Sequence, residues 1–202
     1  MNDLDARLQK TLTHGFQHAD ALISRMLGRA VSHHGYHFGL HSVAEISTEK
    51  INLLVNEESM LLITTNIFGV ANGKSYLLLS EEEMDMIIQL KELEEASQDM
   101  KISFIKEIAN ILSAAVITVL SNEFGIKAFG DIPVLHASDS VKIEDMIRSD
   151  FNAAQWVYIV CAHLQTEIDP NLNLAFIWVI AKDSPEIFIR EKEMDSKRTH
   201  YV

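Results

Sequence analysis

Two side chains in the second half of the chain, Glu107 and Asn110, have the types and the spacing to act together. Residues three apart on a helix are surface neighbours. At about 100° per residue, Ser103, Glu107, Asn110, Ala114 and Ser121 gather on one side of a helical segment. Ile105, Ile108, Leu112, Val116 and Val119 gather roughly opposite as a core stripe. A plain solvated face would carry Lys, Arg or Gln along its length. This one is stripped back to Ser, Ala and Ser around one carboxylate and one amide, which leaves room for another molecule to approach. The amide offers an acceptor oxygen and an NH₂ donor, with no pKa to tune. Periodicity alone also fits an ordinary helix surface. Asn is unfavourable inside a helix by a few tenths of a kcal/mol, which favours a purpose.

Histidine is the other residue type whose spacing carries chemistry. His33, His34, His37 and His41 cluster, and His14 and His18 stand at i, i+4 on a helical segment. Such spacing could bind Zn²⁺ or a similar ion. Against a metal site, no acidic or Cys ligand sits among the four, and a strand or loop would point His33 and His34 apart. No metal site is assigned. Cys161, the one cysteine, lies in the apolar run WVYIVCAHL and reads as buried and inert. No Gly-rich phosphate loop, Ser-His-Asp text or nucleophilic cysteine context is present.

The whole chain sets limits on partners. It has 202 residues, 48% of them hydrophobic and 23% charged, the composition of an ordinary globular protein. A net charge of −12 argues against nucleic acid or an anionic membrane, which both need a basic patch. One cysteine excludes an intramolecular disulfide framework and fits a reducing compartment. No uninterrupted apolar segment approaches the ~20 residues that span a bilayer, and the first ten residues lack a signal-peptide core. The expectation is a cytoplasmic protein.

Periodicity and punctuation mark the elements able to position the pair. Residues 5–27 read as a helix with Gly28 as its stop, and 100–124 as another, capped by Asp99 or Ser97 and stopped by Gly125. VSHHGYHFGLHSVAEIS (31–47) reads as a loop entering a strand. INLLVN and MLLITTNIFG are strand-like, and Asn72-Gly73 turns the chain into the strand KSYLLL. Ser80 and Glu83 form a capping box for a helix that continues through MIIQLKELEEA. IKAFGDIPVLHA is extended, with Pro133 fixing the exit of an edge segment, and IEDMIRS is a short helix. QWVYIVCAHLQTEI and LNLAFIWVIAK, apolar on both faces and joined by a turn at 169–171, are central strands. The charged tail reads as frayed.

Sliding the first long helix onto the second by 97 residues pairs Gly28 with Gly125, Ser24 with Ser121 and Ala19 with Val116. The fold class is therefore α+β: two pseudo-symmetric halves, about 1–98 and 99–202, share one continuous sheet packed against the long helices, in a single domain. The same offset sets Lys10 against Glu107 and Thr13 against Asn110. If the second helix carries a site, the first has lost its copy.

The chain resembles the CheC/CheX/FliY family, phosphatases of the chemotaxis response regulator CheY. Its signature is Asp or Ser, three residues, Glu, two residues, Asn, twenty-two residues, Pro. Ser103, Glu107, Asn110 and Pro133 stand at those spacings. The surrounding ExxNILSAA text and the Gly69/Gly73 run agree with it, and the resemblance extends weakly over nearly the whole chain. CheC-type members commonly carry a second Glu/Asn pair, which Lys10 and Thr13 do not match. The resemblance implies hydrolysis of a CheY-like regulator's aspartyl phosphate. Asn110 would orient the attacking water, Glu107 would dock on the regulator's Lys, and Ser103 and Ala114 would meet the partner. No cofactor of the chain's own is implied, the regulator supplying Mg²⁺. The alternative is a non-catalytic CheC-like module for a response regulator, a flagellar switch protein or a CheD-like deamidase; a homodimer fits either.

Overall fold

A computed structural model describes residues 3–49, 60–69, 72–137, 142–166 and 172–184. The strand-like run at 51–56, the turn at 169–171 and the charged tail lie outside the described residues. Helix α1 spans Asp3–Leu27 and buries Leu8, Leu12, Gly15, Phe16, Ala19 and Ile23 at helical spacing. Gly28 comes next in the left-handed region (φ 68°), and the Arg29 N–H bonds Ser24 O at 3.2 Å. Strand β1 (Val31–Ser42) leads to a 3₁₀ turn (Val43–Glu45), β2 (Met60–Gly69), β3 (Gly73–Ser80) and helix α2 (Glu81–Leu90). The second half holds α3 (Gln98–Phe124), β4 (Ala128–Gly130), β5 (Val134–Ala137), α4 (Ile143–Asp150), β6 (Trp156–Thr166) and β7 (Asn173–Ala181).

Among the described residues the seven strands form one antiparallel sheet, in the order β1-β6-β7-β3-β2-β4, with β5 also on β2. Exchanging β1 with β4/β5, β2 with β6 and β3 with β7 maps that order onto itself, so an approximate two-fold passes between β3 and β7. The helices obey the same exchange. Helix α3 ends at Gly125 (φ 65°), and the Ile126 N–H bonds Ser121 O at 3.1 Å, repeating the bond at the end of α1. Helices α1 and α3 cover one face of the sheet with a core that includes Phe16, Ile108, Leu112, Phe176 and Trp178. The other face is covered by α4 and the 3₁₀ turn through Ile143, Ile147, Val43 and Ile46. Strands β6 and β7 are buried on both sides, as their unbroken apolar text requires.

Two segments depart from the sequence reading. Residues 31–42 are a twelve-residue strand, the last in the sheet order among the described residues, not a loop entering one. A bulge between His34 and His37, with Gly35 at φ 65°, puts two residues of β1 opposite one of β6 and hides the alternation. Helix α2 stops at Leu90 instead of running through the acidic residues, and Glu92 adopts φ 56° in the turn. Its start is as read: Ser80 Oγ accepts from the Glu83 N–H at 3.1 Å, and Glu83 Oε2 accepts from the Ser80 N–H at 2.7 Å.

Cys161 is fully buried, and desolvation pushes its thiol up to about 12. The thiolate is the reactive species, so labelling of the native chain at pH 8 should be slower than that of the denatured chain by on the order of a thousandfold. Comparable rates in the two states would contradict the burial. Closer to the helix pair, a Cβ at Gly15 would lie 3.0 Å from Val116 Cα. Gly15→Leu should therefore cost about 1–3 kcal/mol through overpacking, seen as a lower urea midpoint with an unchanged slope.

Candidate functional site

Helix α3 is apolar around most of its circumference because it has two neighbours. Its Ser113 Oγ meets Ser75 Oγ of β3 at 2.7 Å, and Ile117 lies over Gly130 of β4. Val116 faces Gly15 of α1. Among the described residues, α3 is the one helix long and apolar enough to cross a membrane, although the sequence reading finds no such segment. Its composition arises from packing against both the sheet and α1.

What stays outside is a single stripe. Ser103, Glu107, Asn110, Ala114, Thr118 and Asn122 are all exposed. The structure thus brings Ser103, Glu107, Asn110 and Ala114 onto one open face, as their spacing predicts. Helical angle places Ser121 there too, but its Oγ is buried. The last turns of α3 lie against the start of α1, where Arg7 donates to Glu123 Oε1 at 2.9 Å and to Glu123 O at 3.0 Å. Thr118 continues the stripe instead, its Oγ1 donating back to Ala114 O at 2.8 Å. A step of four beyond Ala114 would have found it.

Asn110 Nδ2 lies 3.5 Å from Glu107 Oε2, and both side chains point to solvent. An exposed i, i+3 contact of this kind is worth about 0.2–0.5 kcal/mol, no more than Asn costs inside a helix. Stability therefore gives no reason for the pair. Its carboxylate can take a cation, and its amide retains an acceptor oxygen and a further N–H for a water.

Pro133 is buried and stands between two short strands that share one partner. Strand β4 pairs with Ile67–Gly69 of β2 and β5 pairs with Leu61–Thr64. Three residues, 131–133, therefore oppose two on β2. Asp131 N–H still reaches Asn66 O at 2.9 Å, and Pro133, without an N–H, interrupts the ladder. Its place is structural, in the edge segment the sequence indicates.

On α1, Lys10 is exposed and Thr13 half-buried. They line a groove of about 1050 Å³ beside the end of α3, with His14, Gln17 and Asn122. The counterpart of the Glu/Asn stripe is thus present in space but carries a cation where α3 carries an anion.

The four clustered histidines do not converge on one point: His37 and His41 meet, and His33 and His34 lie elsewhere. His33 is buried against α1, where its Nδ1 bonds Asp20 Oδ1 and its backbone N–H donates to Asp20 Oδ2 at 3.3 Å. The sequence reading finds no acid among the histidines because Asp20 lies 13 residues away on the helix. The Tyr36 hydroxyl is pushed up to about 12 by desolvation and by the Asp20 charge. His34 turns out to solvent and meets Ser32 Oγ at 2.7 Å. His37 and His41 lie on the opposite face of the sheet from His33, and burial pulls His37 down. Among the described residues, no group of three or more His, Cys, Asp or Glu side chains is placed to hold a metal ion.

With this geometry in hand, comparison with solved structures gives the class: the chain has the fold of the CheC/CheX/FliY chemotaxis proteins. FliY from Thermotoga maritima matches with a TM-score of 0.68 at 15% identity, over 95% of this chain and 98% of that one. CheX from Desulfovibrio desulfuricans matches with 0.53 at 12%, over 86% and 98%. A chain of the H. pylori FliG–FliM complex matches with 0.62 at 10%, over 94% and 99%. No family profile matches the chain, and no curated protein matches it by sequence.

Because Glu107 and Asn110 are exposed and contribute little to packing, Glu107→Ala and Asn110→Ala should each leave stability within about 0.5 kcal/mol. Denaturant midpoints matching the parent would fit this; a large loss would mean that the residues are structural.

Proposed function

We propose that the chain is a cytoplasmic protein-aspartyl-phosphate phosphatase acting on a CheY-like response regulator in chemotaxis signalling. The observation that carries the proposal is the Glu107/Asn110 pair, adjacent, solvent-facing and without a packing role, on the small-residue stripe of α3 in a fold shared with CheX and FliY.

An aspartyl phosphate is already activated, so the reaction needs little beyond a positioned water. Glu107 pairs with the regulator's Lys and brings the stripe down onto its phosphorylated site. Ser103 and Ala114 leave space for the surfaces to close. Asn110 holds the water in line with the leaving carboxylate. The water oxygen attacks phosphorus, the aspartate oxygen departs with the bond's electron pair, and inorganic phosphate is released. Mg²⁺ belongs to the regulator, and the chain contributes no cofactor. Lys10 would repel the regulator's Lys, so α1 takes no part.

A second reading rests on a different observation. The FliM neighbours include a chain solved in complex with FliG and another with SpeE. In this reading the fold docks on a flagellar switch protein, a response regulator or a CheD-like deamidase without turnover, alone or as a homodimer.

Loss of phosphate from a phosphorylated CheY-like receiver decides between them. The wild-type chain should accelerate it, Asn110→Ala and Glu107→Ala should each lose on the order of 10–100-fold, and Lys10→Ala should keep the rate. Binding without acceleration would select the second reading. Acceleration unchanged in both site variants would remove the residue assignment.

A further inference from the structure

We propose that His37 and His41, folded over Gly39 on strand β1, form a two-imidazole site for a borderline divalent transition-metal cation of the Zn²⁺ class. This inference is independent of the phosphatase reading and lies on the other face of the sheet from α3.

The bulge creates the pair. His33 pairs with Leu164 and lies on the helix-covered face, whereas the extra residue between His34 and His37 reverses the parity of the rest of the strand. His37 then stands opposite Cys161, and His41 opposite Val157, both on the far face. Four apart on a strand, the two side chains share that face with only residue 39 between them. That residue is glycine, and a Cβ there would lie 2.6 Å from His41 Nε2 and 3.2 Å from His37 Nε2. The imidazoles thus occupy the space a side chain would fill.

The two Nε2 atoms are 3.1 Å apart. Two metal–nitrogen bonds of about 2.0–2.1 Å close over that separation at an angle of about 100°, between octahedral and tetrahedral values. Without a metal the same distance suits one N–H···N hydrogen bond. The ring centroids are 5.3 Å apart, so the rings lie nearly end to end with their Nε2 atoms facing. Binding asks each ring to swing so that both lone pairs meet at one point, and the bridging proton to move to Nδ1 of its own ring. Both residues are half-exposed, so the ion can enter with part of its water shell and keep it on the remaining positions. Imidazole nitrogen selects Zn²⁺, Ni²⁺ or Cu²⁺ over Mg²⁺ or Ca²⁺.

Calorimetric titration of the full chain, free of any His tag, with Zn²⁺ tests the site. The expected result is one Zn²⁺ per chain, absent in His37→Ala and in His41→Gln. Gly39→Ala, which crowds the rings without removing a ligand, should weaken binding by about 10–100-fold. The double variant His14→Ala/His18→Ala removes the exposed i, i+4 pair of α1 and should bind like the parent. Mg²⁺ should give no heat at that site. Absence of stoichiometric Zn²⁺ binding, its survival in His37→Ala, its loss in the α1 variant, or parent-like affinity in Gly39→Ala would each overturn the proposal.

Discussion

Two helices can approach no closer than the side chains between them allow, and at Gly15 there is none. Val116 of α3 sits against the bare backbone of α1 there. The helices run antiparallel through that point, since Arg7 near the start of α1 reaches Glu123 near the end of α3. Because α3 is held by α1 on one flank and by the sheet beneath, little of its circumference remains. The exposed stripe through Glu107 and Asn110 is what the packing leaves over. The stripe therefore inherits its rigidity from the core: α3 cannot roll without lifting Val116 off Gly15 and separating the Ser113 and Ser75 hydroxyls.

The approximate two-fold explains both the economy of the fold and its asymmetry in chemistry. Each long helix ends in the same glycine-terminated bond pattern and presents a stripe outward. On α3 the stripe centres on an anion and an amide; on α1 it centres on Lys10. One scaffold thus offers two surfaces of opposite charge preference.

Much of this is readable in the residues, for stated reasons. Helix ends marked by glycine, the Ser80–Glu83 box, the apolar β6 and β7, and the Glu107/Asn110 face all depend on local patterns that the fold does not override. Strand β1 is hidden because its bulge and two glycines break the alternation on which strand reading depends. The end of α2 is hard to see because the acidic residues after Leu90 have ample helix propensity, and only the turn at Glu92 reveals the stop. Ser121 is misplaced by helical angle, which says nothing about a neighbouring helix that covers one end. The Asp20–His33 bond joins two elements, and no local pattern announces it.

The breaks at the two margins of the sheet have a consequence for how this chain meets others. A continuous row of free backbone amides invites a strand from another molecule to add on. Among the described residues one margin, β1, is kinked by its bulge, and the other is split into β4 and β5 around a proline that has no hydrogen to give. Strand-by-strand growth is discouraged at both ends. Contact with the exposed stripe of α3 then depends on side chains rather than on backbone pairing.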